Sequence, residues 1–371
     1  MKLKYHILND EKFTDWVINS FSKLDYNCNR FLLVTDNPSS KFFNDDCVEF
    51  ISKNYFLNNF VPKDEDVVIF YFLHLNNISF LLKRKKYKFR KIWIGYGADY
   101  YYYLLNERSF QPLYLKITQK LFYSFNGHYF FKRIALTVYQ KIFFLFKVMP
   151  ALKTLNNFAP IIPNEFSIIK DKYPSLKFDY LDFTFGDVSF IIQNSNFHKG
   201  ENILLGNSAT FSCNHLDILE SINHLRISNK IVIPLSYGNA KYRDFLIDYI
   251  PKNYHNLNLE ILGKFLPLNE YNQILNQCGF AIMPHLRQQG MGNIYSLLYS
   301  GTKLFLFKKN PVYKFLKDMG VNFHSIEELL SNTRLLESPL TQDEMEKNRI
   351  IINNHYSKEK SFDRIQKIIN L

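Results

Sequence analysis

The residues of this chain best suited to chemistry lie between Phe280 and Gly301, F-A-I-M-P-H-L-R-Q-Q-G-M-G-N-I-Y-S-L-L-Y-S-G. A strand-length apolar run feeds a short loop carrying Arg287, Gln288, Gln289, Gly290 and Gly292. A helical pattern starts at once, with Ile294, Leu297, Leu298 and Gly301 at i, i+3, i+4 and i+7. The glycines let the backbone come close to a ligand. The helix start, Asn293 included, offers unpaired N–H groups at the positive end of its dipole. Arg287 adds a permanent cation whose forked donors match phosphate oxygens. Together these make a diphosphate seat, although a lone Gly-x-Gly also occurs as a plain strand-to-helix turn.

Four other loops follow apolar strand patterns: Gly206-Asn207-Ser208, Ser236-Tyr237-Gly238-Asn239, Gly263-Lys264-Phe265 and Lys308–Pro311. Turns favour such residues in any protein, but five in step at strand ends are what a nucleotide cleft in an open α/β sheet requires. A nucleotide cleft needs its phosphates neutralised and its nucleoside held. Arg287, the backbone from Gly290 through Gly292 to Asn293, and Gly206, Asn207 and Ser208 are the choice for the phosphates. Gln288 and Gln289 suit phosphate, ribose or sugar hydroxyls, and Tyr237 can border the base. With a helix end and an arginine available, neither a metal nor another cofactor is expected. His285 reads either as a diphosphate donor or as a turn histidine; Glu327-Glu328 reads as a helix cap after Ser325.

The elements that must carry these loops alternate regularly. Strand patterns at Asn202–Leu205, Lys230–Pro234, Leu257–Leu262, Phe280–Pro284 and Lys303–Phe307 alternate with helical patterns near Asn214–Leu225, Asn239–Ile250, Leu268–Gln277, Gly292–Ser300 and Pro311–Met319. Such alternation predicts a parallel, Rossmann-like sheet. The first half alternates too, with strands at Leu3–Leu8, Phe31–Thr35, Val67–Phe72 and Lys91–Gly95 and helices near Glu11–Leu24 and Asn76–Lys86; Ser109–Leu155 reads mostly helical. A polar stretch, Asn194–Glu201, separates the halves. The expected division is residues 1–195, an acceptor- and membrane-facing domain; 196–340, a nucleotide-sugar domain; and 341–371, a helical segment crossing back to the first. Two α/β domains with a nucleotide site on the second point to the GT-B architecture.

Of a net charge of +12, the segment Val67–Asn164 holds +13, from fifteen Lys/Arg against Asp99 and Glu107. Seven of the fifteen crowd into Lys83–Lys91, and the rest are strewn among Phe, Tyr and Leu as far as Lys153. Basic charge interleaved with aromatics on helices suits an anionic bilayer surface. A solvated face over an aromatic core is the alternative. A nucleic-acid groove is not expected, because no nucleic-acid motif accompanies the charge. The N-terminus reaches charged residues within ten positions and is not read as a signal peptide, and no window of 18 apolar residues exists. Cys28, Cys47, Cys213 and Cys278 form no C-x-x-C pair, which fits reduced thiols in a cytoplasmic protein. Asp99, an acid kept just past a strand end inside this cationic region, is the first candidate for a general base, with a helix N-cap as its other reading. His74, after a neighbouring strand, is the second candidate. A retaining reaction would need neither.

These residues bring a resemblance into view. I-L-L-G-N-S at Ile203–Ser208, V-I-P-L-S-Y-G-N at Val232–Asn239, R-Q-Q-G-M-G at Arg287–Gly292 and K-N-P at Lys309–Pro311 resemble the bacterial TDP-4-acetamido-4,6-dideoxygalactose (Fuc4NAc) transferases of glycosyltransferase family 56. Y-G-A-D-Y-Y at Tyr96–Tyr101 is similar to the family's W-G-A-D-x-Y, and Phe72-Leu73-His74 to its F-x-H strand end. The resemblance is continuous over the second domain and patchy over the first. It implies a GT-B fold, a TDP-sugar donor and an undecaprenyl-diphosphate-linked saccharide acceptor at the inner face of the inner membrane, in enterobacterial common antigen, O-antigen or capsule synthesis. The alternatives are a UDP- or GDP-sugar donor, or a non-catalytic lipid- or nucleic-acid-binding protein on the same fold.

Overall fold

A computed structural model describes residues 2–11, 13–24, 27–37, 39–40, 47–105, 113–126, 138–191, 200–225 and 227–371. All but the last two residues of the expected 194–201 linker lie outside these, as do Glu107, Arg108 and the Lys132-Arg133 pair. The chain forms two compact units. One comprises Met1–Gln111, Phe130–Asp187 and Tyr356–Leu371, the other Pro112–Tyr129 and Val188–His355.

The first unit is built on seven parallel strands in the order β3-β2-β1-β4-β5-β6-β7. They are β1 (Lys4–Leu8), β2 (Asn29–Val34), β3 (Val48–Ile51), β4 (Val67–Tyr71), β5 (Arg90–Ile94), β6 (Asn157–Ala159) and β7 (Asp179–Tyr180). The central strand V-V-I-F-Y is buried along its whole length, as expected for a parallel strand covered on both faces. Helices α1 (Thr14–Leu24), α2 (Lys53–Asn58) and α3 (Leu75–Lys83) make the first crossovers. Strand β3 escapes sequence pattern because it is a four-residue edge with its middle two positions exposed. On one face, Val17, Ile18 and Phe21 of α1 share a core with Ile365 and Ile368 of the terminal helix Lys358–Ile369.

The second unit has six parallel strands in the order β10-β9-β8-β11-β12-β13. These are β8 (Ile203–Leu205), β9 (Ile231–Pro234), β10 (Leu259–Leu262), β11 (Phe280–Met283), β12 (Lys303–Leu306) and β13 (His324–Ser325). The five strands and five helices read from sequence in this half each have a counterpart. The units do not follow sequence blocks cut at 195 and 340. Residues 112–129 belong to the second unit, and the return to the first begins at Tyr356. The physical reason is the buried Asp217, whose carboxylate accepts from the backbone N–H groups of Ile117 (2.7 Å) and Thr118 (2.8 Å) and from the Thr118 hydroxyl (2.6 Å). That carboxylate caps the helix Lys116–Asn126 and fastens it to the second sheet. Among the described residues no helix is long and apolar enough to cross a membrane.

Candidate active site

In each unit the sheet order reverses direction once, between β1 and β4 and between β8 and β11. Ligands of open α/β sheets bind beyond the carboxyl ends of the strands at such a switch point. The loops flagged by composition sit there. Gly206–Ser208 follows β8, and Pro284–Gly290 follows β11 and leads into the helix Met291–Tyr299.

The two loops are locked together. Gly206 has φ +70°, and its N–H bonds the carbonyl of Ile282 at 2.9 Å. Gly290, the N-cap of the helix, has φ +66°, and a Cβ there would meet the Asn207 amide nitrogen at 2.8 Å. Both glycines are therefore required by the backbone itself. Gly292 differs. It has no left-handed conformation to relieve, and a Cβ on it would meet nothing within 4 Å. Gly292 and Asn293 are exposed on the first turn of the helix, whose leading N–H groups have no intrahelical acceptor.

The glutamines divide. The Gln289 amide spans the loops, accepting from Ser212 Oγ at 2.6 Å and donating to Thr210 Oγ1 at 3.1 Å; this places it as a brace, where sequence reasoning had assigned it to the ligand. Gln288 is buried, and half-buried Arg287 donates to the Gln288 carbonyl at 3.0 Å. The His285 ring is turned inward, fully buried, with Nε2 at 3.3 Å from Cys213 Sγ. Burial first, and then the Arg287 charge, push its pKa down to about 3, so the ring is neutral. Asn310 pins the same turn, donating to the His285 carbonyl at 2.9 Å. Glu328 completes a capping box with Ser325.

Tyr237, in the loop after β9, is 79% exposed, and Phe265, beyond the end of the adjoining β10, is 86% exposed. The sequence names Tyr237 for the base and marks Phe265 only as part of the Gly263-Lys264-Phe265 loop, with no role of its own. Its signal was an aromatic next to Lys264 in a loop where a core role is excluded.

In the first unit, the switch point holds a cavity of about 690 Å³. Its wall includes Asn9, Asp10 and Glu11 after β1, Thr35 and Asn37 after β2, and His74 and Asn76 after β4. The two candidate bases have different fates. His74 lines the cavity, and burial lowers its pKa from the usual 6.5. Asp99 is 1% exposed, and its carboxylate accepts from the Leu73 N–H (3.0 Å), the Trp93 indole N–H (2.8 Å) and the Tyr96 N–H (3.0 Å). Desolvation raises its pKa against those bonds. Asp99 is thus a strut inside the protein and lies outside the cavity wall. The D-x-D triplet Asp64-Glu65-Asp66 is also structural. Asp66 accepts from the backbone N–H groups of Leu3 (2.9 Å) and Lys63 (2.8 Å) at the amino ends of β1 and β4, the edge opposite the cavity.

Solved structures similar to this chain share its fold at low identity. Sucrose-phosphate synthase of Thermosynechococcus elongatus is 8% identical, with a TM-score of 0.63 over 100% of this chain and 98% of that one. HepE of Anabaena, determined with UDP-glucose, is 10% identical, with a TM-score of 0.61 over 100% and 99%. OtsA without ligand gives 9% and 0.60 over 100% and 98%. The two-sheet fold is the GT-B fold. The profile of the family described as "4-alpha-L-fucosyltransferase glycosyl transferase group 56" matches residues 13–361. The chain belongs to that family and is a glycosyltransferase.

Proposed function

We propose that this enzyme transfers a 4-acetamido-4,6-dideoxyhexose from a TDP-sugar to an undecaprenyl-diphosphate-linked saccharide in surface polysaccharide synthesis. The observation that carries the donor site is Gly292: an exposed glycine, with open space where its side chain would be, on the first turn of the helix that follows β11 at the sheet's switch point. No described residue lies within 4 Å of a Cβ built there, whereas a diphosphate oxygen approaching the N–H groups of Gly292 and Asn293 requires that space to stay open. Arg287 adds positive charge to the leaving group, and Tyr237 with Phe265 borders the base. Helix end and arginine together supply the stabilisation that a divalent metal supplies in other transferases.

The acceptor sugar occupies the first unit's cavity, whose amide, hydroxyl and carboxylate lining suits a ligand dense in hydroxyls. The membrane reading rests on the helical residues 138–152. Their exposed Tyr139, Ile142, Leu145 and Phe146 recur at helical spacing beside Lys141 and Lys147. The same helix packs against α3, which leads into the exposed Lys85, Lys86 and Lys88. Three others of the basic run turn inward instead. Arg84 donates to the carbonyls of Phe60 and Asn58, Arg90 to Asn157 Oδ1, and Lys91 to the carbonyls of Tyr87 and Phe89.

A UDP-sugar donor is the second reading, because HepE, of the same fold, was determined with UDP-glucose. Thermal shift with TDP, UDP and GDP separates the two. TDP is expected to stabilise most; a preference for UDP or GDP overturns the donor assignment. Mass analysis of the product from TDP-4-acetamido-4,6-dideoxygalactose and a lipid-linked saccharide extract then tests the transfer itself.

A further inference from the structure

We infer that His74 is the catalytic base toward the acceptor hydroxyl and that Asp99 and Phe72 are positioning residues that aim it, a division of labour that rests on the acceptor reading above. Phe72 has φ +64°, one of two non-glycine residues with a left-handed backbone among those described. A bulky side chain is disfavoured in that conformation, and strain of this kind persists only where neighbours over-determine it. Here they do. The Phe72 N–H bonds the Ile94 carbonyl at 3.0 Å, its own carbonyl accepts from Asn77 Nδ2 at 3.0 Å, and the next N–H, of Leu73, is held by the Asp99 carboxylate. Asp99 also grips Trp93 and Tyr96, so one buried acid ties the Tyr96–Asp99 turn to the Phe72–His74 bend. Beyond the bend, the His74 ring packs on Phe72 at 4.5 Å and lines the cavity.

The charged groups sharing that cavity wall are Asp10 and Glu11 beyond β1 and Lys53 of α2, the last paired with Asp36 at 3.2 Å. The cavity end of α3 carries no acid. A ring held partly desolvated among them stays neutral near pH 7 and can take a proton. In the step, the acceptor O–H gives its proton to the imidazole nitrogen as its oxygen bonds the anomeric carbon. The bond from that carbon to the diphosphate oxygen breaks, its electron pair leaving on the diphosphate, and configuration at the carbon inverts.

The test uses the full chain, TDP-4-acetamido-4,6-dideoxygalactose and a membrane extract of undecaprenyl-linked saccharides. His74→Gln is expected to lower turnover by about 10²-fold or more and to abolish the acidic limb of the pH profile. The TDP-induced thermal shift should stay as in wild type. Asp99→Asn is expected to lower turnover with TDP binding intact, and to move the His74 ring titration, followed by ¹⁵N NMR, up toward that of an ordinary histidine as the bend relaxes. Phe72→Gly and Phe72→Ala both remove the ring, so the glycine variant should melt higher and turn over faster; this pair decides the matter if Asp99→Asn does not fold. An acidic limb that survives His74→Gln, or a product with retained configuration, overturns the base. An unchanged ring titration and rate in Asp99→Asn, or equal behaviour of the Phe72 pair, overturns the positioning. Failure of wild type to bind TDP sinks the donor reading alone, since the ring titration needs no substrate.

Discussion

Gly290 and Gly292, two residues apart, have different reasons to be glycine, and substitution separates them. Gly292→Ala meets empty space on a helix, so it should leave the melting temperature unchanged or raise stability by about 0.5 kcal/mol, while weakening TDP binding in thermal shift. A loss of stability would show that the glycine serves packing. Gly290→Ala combines a left-handed backbone with a 2.8 Å approach to Asn207, and should destabilise by about 1–2 kcal/mol on denaturant unfolding. Arg287→Ala should lower turnover by about 10²–10³-fold without changing the circular dichroism spectrum. These roles were only half legible. R-Q-Q-G-M-G marked the loop that stands at the switch point, but the sequence did not say that Gln289 would be spent on Ser212 and Thr210, 77 and 79 residues away. Nor did it say that Asp99, acidic in a cationic region, would be sealed under three donors.

At the scale of elements, the helix Lys116–Asn126 lies far from β8 in sequence yet is held in the second unit by one carboxylate. Asp217→Ala leaves three donors without their acceptor. It should cost about 2 kcal/mol, seen as faster proteolysis within 113–126; an unchanged cleavage rate would show that apolar packing alone seats the helix. Residues 138–152 make the complementary case. Their period and lysines were readable, and the structure adds that Leu145 and Phe146 are 61% and 71% exposed. Leu145→Ser with Phe146→Ser is expected to reduce sedimentation with phosphatidylglycerol vesicles and to leave TDP binding intact. Equal sedimentation would return this face to the role of an ordinary surface.

Over the whole molecule, buried neutral histidines tie stability to pH. His6, bonded to Tyr71 and Asn29 at 2.9 Å each, has its pKa pushed by burial down to about 4, and His285 is pushed to about 3. An unfolded chain binds these protons near 6.5, so the unfolded state gains protons first as pH falls. The contribution is complete above pH 6.5. It is lost downward toward the folded values, at about 1.4 kcal/mol per ring per pH unit. Melting temperature should therefore fall from pH 7 to pH 5, less steeply in His6→Asn; parallel slopes in variant and wild type would exclude the ring.

The sequence by itself determined the alternation of strand and helix, the GT-B class and the glycine-bearing loop at the carboxyl end of β11, because these depend on local periodicity and on residues adjacent in the chain. The tertiary structure alone decided which candidate base reaches a cavity, which glutamine is committed to bracing and which unit claims residues 112–129. Each of those outcomes is a competition for hydrogen-bond partners among groups distant in sequence, such as Leu73 with Asp99, Ser212 with Gln289 and Thr118 with Asp217. Only the folded backbone brings such partners within reach, and a buried polar group left without one would cost more than any local preference returns.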